Sequence, residues 1–234
     1  MERSVSGVGV LDKSIHLLDV LEERPRTLAE LVPATGLSRA TAHRLAVALE
    51  AHGLVRRDED GRFALGVRLV ALGRAAAESI PLATAAGPAL TELRDATGES
   101  VQLYVRQGDR RVCIAALESP HGLRTIVPMG ASLPLDQGSA GSLLVRAGVG
   151  SGVTKRSDAG DPGGPMPEWI ESVGQREAGV ASVSAPVLGP DGGVVAAVSV
   201  SGPIERTTRR PGRRYAVAVV AAARRIERAA GLRG

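Results

Sequence analysis

Apolar residues in the first third of the chain recur at the three- and four-residue spacing of helices, and further on they alternate as strands do. Val10, Leu11, Ile15, Leu17, Leu18 and Leu21 predict a helix over about 9–23, ended by Pro25. Its apolar stripe is wide for one helix of a small domain, so part of it is expected to cover a partner subunit. Thr27 followed by Glu30 is a capping-box signature, and Leu28, Leu31 and Val32 continue at helical spacing. Gly36 stands where the chain must turn, and Ser38 is a good N-cap for the next helix. There Ala42, Leu45, Ala46 and Leu49 share one face, and Gly53 marks the end. Residues 54–57 and 62–65 read as two short strands around the turn Asp58-Glu59-Asp60-Gly61.

Helix, tight turn, helix and charged hairpin, in that order, describe a winged helix-turn-helix, which pushes one helix into a DNA groove. Arg39, Ala40, Thr41, His43, Arg44 and Val47 fall on the outer sides of the second helix, and no acid occurs between Arg39 and Ala48. Thr41 and Arg44 are expected to contact bases or phosphates, and Ser38 with Arg39 to contact phosphate. Arg56, Arg57 and Arg62 of the hairpin are expected to hold the backbone or enter the minor groove. Thr27, Ala40 and His43 complete the expected DNA-facing set. The same shape can also serve a ligand-sensing module that uses it for dimerisation alone, and a gel shift with operator DNA separates the two readings.

Beyond the hairpin, 67–78 is helical in pattern, Pro81 interrupts, and a second helix runs to about 96. The first of these reads as a linker helix. Residues 100–106 and 110–118 alternate like strands around the turn Gln107-Gly108-Asp109, and 124–129 reads as a third strand. A short helix is expected at 139–147, and a mobile surface loop at 149–167, which is rich in Gly, Pro and Ser. Two more strands, 179–187 and 194–201, flank a Gly-rich turn, and a helix over 215–230 closes the chain. The expected organisation is α+β: a winged domain over 1–66, a linker helix over 67–80, and a domain with an antiparallel sheet over 81–234.

Composition narrows the function. Phe63, Tyr104, Trp169 and Tyr215 are the only aromatics, which argues against single-stranded nucleic acid, whose binders stack bases on aromatic rings. The net charge is +4, yet residues 1–65 are close to neutral, so phosphate contacts must rest on local placement. The excess base lies in Arg206, Arg209, Arg210, Arg213, Arg214, Arg224, Arg225, Arg228 and Arg233. Alanines interleaved with them favour a solvated helix face over a second nucleic-acid surface. The single cysteine, Cys113, excludes an internal disulfide and reads as a small core residue. Neither a G-x-S-x-G elbow nor an H-E-x-x-H motif is present, and His16, His43, His52 and His121 are dispersed, so no enzyme, metal or cofactor is expected. Residues 1–10 are not a signal-peptide core, and no apolar run is long enough to span a bilayer, so the expectation is cytoplasmic with no membrane partner.

Nearly end to end, the chain resembles the IclR family of bacterial transcriptional regulators. The resemblance rests on GLSRATAHRLAVALEAHGLVRRDEDGRFALGVRLVALG and GVASVSAPVLGPDGGVVAAVSVSGPIERTTRR. It implies a homodimer or dimer of dimers on double-stranded operator DNA, with winged domains paired through their N-terminal helices. It also implies a GAF-like C-terminal domain that binds a small-molecule effector. Carried over by position, the family's pocket would use Ser139 and Ala140, where a glycine is replaced, Ser182 in place of a cysteine, and Ser199 and Ser201 of an SxSGP motif. An aspartate that some members use for small keto-acids would fall near Ser172 and is not matched; Glu171 or Glu177 could substitute only with a shift. The hydroxyls would suit the carboxylate of an amino acid or keto-acid. Binding could alter the paired winged domains only by favouring one arrangement over another. Within the family the likeness leans toward streptomycete members associated with leucine and other amino-acid biosynthesis genes. The scarcity of lysine, only Lys13 and Lys155, agrees with a GC-rich actinobacterial source.

Overall fold

Three helices and a two-stranded hairpin form the first of two units in the computed structural model, which describes residues 6–146, 153–154 and 166–233. The units are Met1–Ala76 and Ala77–Gly234. In the first, α1 (Gly9–Glu23), α2 (Leu28–Thr35) and α3 (Arg39–Ala51) enclose Leu17, Leu21, Leu31, Leu37, Leu45 and Leu49. The capping box forms: Thr27 Oγ1 accepts from the Glu30 N–H at 3.3 Å, and Glu30 Oε2 accepts from the Thr27 N–H at 2.8 Å. Gly36 adopts φ +66°, the left-handed conformation that lets α2 stop and α3 start three residues later. Ser38 Oγ then caps α3 through the Thr41 N–H at 3.3 Å.

The hairpin strands β1 (Val55–Arg57) and β2 (Phe63–Leu65) pair antiparallel, and Arg26 forms an isolated bridge to β2 through reciprocal backbone bonds with Phe63 of 2.9 and 2.8 Å. Val55 and Phe63 turn inward and seal the helical core from below. Gly66 closes the hairpin: a Cβ there would lie 2.0 Å from the Gly53 carbonyl oxygen, which no side chain permits. From Arg68 the chain continues as α4 (Arg68–Glu78), in which no residue is buried.

The second unit is a six-stranded antiparallel sheet in the order β5-β4-β3-β10-β9-β8. Its strands are β3 (Ser100–Gln107), β4 (Arg110–Leu117), β5 (Ser132–Pro134), β8 (Ile170–Val173), β9 (Val180–Leu188) and β10 (Val194–Pro203). Two residues each of β6 (Val153–Thr154) and β7 (Met166–Pro167) pair in parallel beside it. Helices α5 (Pro81–Thr97) and α8 (Pro211–Ala229) cover one face. That face takes every second residue of the central strands: Val101 and Leu103, Val183, Ala185 and Val187, Ala196, Val198 and Val200. The opposite face carries α6 (Gly138–Val145), with Leu143 and Leu144 buried against Tyr104, Cys113 and Ala197. The short α7 (Ile204–Thr207) joins β10 to α8.

Two buried carboxylates tie this unit together. Glu99 receives both Nε and Nη2 of Arg206 at 2.8 Å, a forked pair that matches guanidinium geometry. Glu227 accepts the Leu188 N–H at 2.9 Å and the Arg233 guanidinium at 3.1 Å. Arg225 pairs with Glu92, and Arg214 donates to the Arg206 carbonyl at 2.6 Å. Much of the C-terminal basic excess is thus structural, while Arg209, Arg210, Arg213 and Arg228 stay exposed.

One expected strand does not form. Residues 124–129 are irregular, although Thr125 and Val127 alternate inward as a strand would place them. The ladder position beside β4 belongs instead to β5, where Arg110 faces Pro134 and Val112 faces Ser132. The strand β8 and the helix α7 are additions that the apolar pattern did not single out. The helix α6 ends at Val145, and the loop expected at 149–167 falls almost wholly outside the described residues.

Candidate functional site

The first unit presents α3 as its outward element. Ala42, Leu45, Ala46 and Leu49 are buried, which turns Arg39, Ala40, His43, Arg44 and Val47 to the outside, with Thr41 half-buried at their edge. Arg39 and Arg44 form no ion pair among the described residues, so their charge is available to an anion. Ser38 and Thr41 share a 2.9 Å hydroxyl contact at the helix start, beside the unsatisfied N–H groups of the first turn. That end combines backbone donors, a positive helix pole and two unpaired guanidiniums, which is the chemistry a phosphodiester requires.

The wing arginines are not equivalent. Arg56 is exposed without an ion pair among the described residues. Arg57 lies 4.3 Å over the Phe63 ring and 3.3 Å from Glu50, so part of its charge is spent on holding the wing to α3. Arg62 stands 3.7 Å from Glu30. Thr27 is committed to its cap, with its hydroxyl 3.0 Å from Glu30 Oε2. Glu30 collects the Thr27 N–H, the Arg24 guanidinium and the Thr27 hydroxyl, which together pull its carboxyl down to about 2.

In the second unit, strand register gathers the expected pocket residues. Ser182 faces Ser201 across the ladder, and Ser184 faces Ser199. The period of two puts all four on the α6 face of the sheet. Ser139 at the start of α6 completes the group: its Oγ lies 2.7 Å from Ser182 Oγ and 2.7 Å from Ser184 Oγ. Ala140 lines the same cavity, whose volume is about 30 Å³. From β3 comes Gln102, opposite Ser199 in register, with its Oε1 accepting from Ser201 Oγ at 3.1 Å.

Ser172, where the family aspartate would fall, also lines the cavity and donates to Gln175 Oε1 at 3.1 Å. Glu171 is turned to the other side, where it accepts the Gly212 N–H at 2.7 Å. Glu177 reaches the rim, paired with Arg176 at 3.3 Å and 59% exposed. Gln102, Tyr104, Arg111 and Arg176 line the cavity, and Ser184 is fully buried against Ser139; the motifs revealed none of these. Ser184 was legible as the same-face neighbour of Ser182, two residues on. Arg111 was not, because nothing in an alternating strand marks an arginine as the one that stays inside.

Arg111 is only 3% exposed. Its Nη1 donates to the carbonyls of Pro134 and, at 2.6 Å, Gln137, while the guanidinium lies 5.4 Å over the Tyr104 ring. Burial shifts the guanidinium below its ordinary value and the Tyr104 phenol above it. Burial also pushes the Cys113 thiol up to about 12, which leaves it protonated and inert as a nucleophile.

The comparisons with known proteins concern both units. The family model described as the IclR helix-turn-helix domain matches residues 10–59. The one described as the bacterial transcriptional regulator IclR C-terminal matches 74–149 and 169–228. The chain is 31% identical over 128 residues to KipR, an HTH-type transcriptional regulator of Bacillus subtilis (strain 168), an alignment covering 54% of this chain and 51% of KipR. The chain spans about half the length of KipR and of several other curated relatives. A Rhodococcus sp. structure described as an IclR-family regulator is 29% identical, covers 97% of this chain and 96% of its own, and superposes with a TM-score of 0.54. An IclR homologue from Microbacterium hydrocarbonoxydans, solved with 4-hydroxybenzoate, shares the fold at 20% identity and a TM-score of 0.69, over 95% of this chain and 99% of its own. No helix among the described residues is long and apolar enough to cross a membrane.

Proposed function

The chain belongs to the IclR family of bacterial transcriptional regulators, and on that premise we propose that it binds operator DNA sequence-specifically under the control of a small-molecule effector. The carrying observation is the outer face of α3, where Arg39 and Arg44 stand exposed and unpaired beside a capped helix start free of acids. In this reading α3 enters the major groove, Thr41 and Arg44 contact bases or phosphates, and Ser38 and Arg39 hold phosphate. Ala40 and His43 face the groove, Thr27 lies against the backbone, and Arg56 with its neighbours Arg57 and Arg62 contacts the flanking backbone or minor groove.

A near-neutral winged unit needs two copies to bind tightly, so a homodimer or dimer of dimers belongs to the proposal. The exposed apolar residues Val10, Leu11 and Ile15 on α1 and Val70 and Leu72 on α4 support it. The effector occupies the serine cavity of Ser139, Ala140, Ser182, Ser199 and Ser201. Support comes from the relative that holds 4-hydroxybenzoate and from the convergence of hydroxyls on one sheet face. A cavity of about 30 Å³ holds roughly one water molecule. Ligand entry therefore exchanges the serines' mutual bonds for bonds to the ligand and favours a wider arrangement. The regulated genes are proposed to serve amino-acid biosynthesis of the leucine type, on the resemblance of the two motif blocks to such regulators.

The test is selection of binding sites from random duplexes with the full chain, followed by gel shifts at moderate salt. A palindromic consensus bound in preference to random DNA is expected. Binding that ignores sequence, or no binding at all, overturns the regulator reading and leaves a dimerisation module.

A further inference from the structure

The fold divides the C-terminal arginines into two groups. From Tyr215 onward the interleaved alanines make a solvated helix face, as expected: Ala216, Ala222 and Ala223 are buried, and Arg224 and Arg225 pair with Glu168, Glu227 and Glu92. The arginines before Tyr215 behave otherwise. Arg209, Arg210, Arg213 and Arg214 line one shallow surface recess with Thr208, and all five are exposed. Arg214 donates to the Arg206 carbonyl, but Arg209, Arg210 and Arg213 hold no ion pair among the described residues. No acid occurs between Arg206 and Ile226. The carboxylates nearby are turned to other groups: Glu171 accepts the Gly212 N–H, Glu99 is forked to Arg206, and Glu205 on α7 acts on Arg206. Three local choices at this place oppose folding. Thr208 holds φ +68° and ψ 173°, a region that glycine alone enters without strain, and no other non-glycine residue among those described has a positive φ. Its N–H donates to the Ile204 carbonyl at 2.8 Å and its Oγ1 accepts the Arg210 N–H at 3.1 Å, which fixes the turn that carries Arg209 and Arg210. Like charges stand one helical turn apart at Arg210, Arg213 and Arg214. Arg213 and Arg214 also occupy the first turn of α8, at the positive pole, where acids are favoured and none occurs. Unfavourable choices gathered at one place mark a site shaped for a partner.

We propose that Arg209, Arg210 and Arg213 form a second DNA surface, on the C-terminal unit, that holds the phosphate backbone of duplex DNA without regard to sequence. The inference rests on the DNA-binding reading, which brings the chain to a phosphate polymer, and adds a contact to those of the winged unit. Charge complementarity selects this partner. The patch offers guanidinium groups, which match phosphate oxygens in geometry as well as charge. A protein partner would need an apolar centre, but Pro211 and Tyr215 are buried and the exposed apolar neighbour is Val217 alone, one turn further along α8. Single-stranded nucleic acid would need exposed aromatic rings, and the patch has none. The winged unit is close to neutral, so attraction to phosphate over distance has to be supplied elsewhere in the chain. This patch is where unpaired positive charge is concentrated.

The experiment is a gel shift of the full chain, over a series of salt concentrations, on a long duplex carrying its selected site and on a long random duplex. Replacing Arg209, Arg210 and Arg213 together by Gln is expected to weaken both complexes about tenfold or more at low salt. The slope of log affinity against log salt should fall by at least about 1, the share of one phosphate contact. The preference for the site over random DNA should stay as it was. Arg210→Gln alone should weaken binding more than Arg228→Gln, an exposed arginine outside the patch, although each removes one charge. Should the triple variant not fold, that pair of single variants decides. Unaltered affinity and slope in the triple variant, or equal losses from Arg210→Gln and Arg228→Gln, overturn the proposal and leave the patch to an acidic protein surface. Loss of site preference with undiminished binding to random DNA overturns it as well. Failure of the unaltered chain to bind any duplex sinks the regulator reading and this surface with it. Intact site binding that the triple variant shares in full sinks this inference alone.

Discussion

The two units use polar side chains in opposite ways. In the first, the groups proposed to meet DNA stand outside an apolar core that is complete without them. Leu17, Leu31 and Leu45 hold α3 in place, Arg39 and Arg44 stand on its outer side, and Arg56 is exposed on β1. In the second, the corresponding groups are inside, and Ser139, Ser182 and Ser184 satisfy one another. A surface site can therefore change with little effect on stability, whereas a buried polar site cannot, because each hydroxyl removed leaves a partner unsatisfied. Under the proposed function, the first region can diverge in what it reads, whereas the second must keep its packing while it changes what it holds.

The comparison can be broken most severely at Gly66. Gly66→Val forces a side chain into the Gly53 carbonyl, and a loss of about 3 kcal/mol is expected in the winged unit. Calorimetry should show an early transition for that unit with the other unchanged; a single unshifted transition would refute the close approach. Next in size is Arg44→Ala, expected to weaken specific operator binding by roughly 1–3 kcal/mol. Its unfolding free energy should stay within about 0.5 kcal/mol of the parent, as for surface positions generally. Equal losses on specific and random DNA would assign Arg44 to phosphate alone.

Ser139→Ala sharpens the contrast from the other side. It removes two hydroxyl contacts in a buried site, so about 1 kcal/mol of stability should be lost together with the response to effector. Unaltered denaturant midpoints would mean that the serines do not depend on one another. The smallest effect is the pH response of Glu30. Its carboxyl titrates at about 2 when folded against an ordinary 4.5. A carboxyl lowered on folding stabilises the native state above its unfolded value, and that contribution fades as pH falls from about 4.5 through about 2. Acid titration followed by circular dichroism should show the loss, and Glu30→Gln should flatten it. An identical acid profile for both would remove the capping box from the account.

Features set by neighbours in the chain are legible in the residues alone. Thr27 and Glu30 are three residues apart, so a capping box needs only one helical turn to bring them together. Gly36 and Ser38 mark a stop and a start for equally local reasons, and a helical period is enough to divide α3 into an inner and an outer face. The strand expected at 124–129 shows where that logic stops. Its alternation is real, with Thr125 and Val127 inside, but a strand exists only where a ladder accepts it, and the rung beside β4 is taken by Ser132–Pro134.

The pocket divides along the same line. Composition and period could place Ser199 and Ser201 on one face of one strand. Only the register of β9 against β10 sets Ser182 opposite Ser201 and Ser184 opposite Ser199. Only the packing of α6 brings Ser139 within 2.7 Å of both Ser182 and Ser184. Arg111 lies furthest from what a sequence can reveal. An arginine in an alternating strand reads as an exposed charge, and it is buried here because Gly141, thirty residues on, leaves a space that its guanidinium fills. Local hydrogen bonding and periodic burial act over a few residues and are carried by the chain itself. The meeting of charge, cavity and helix pole is a long-range event, decided only once the sheet has closed.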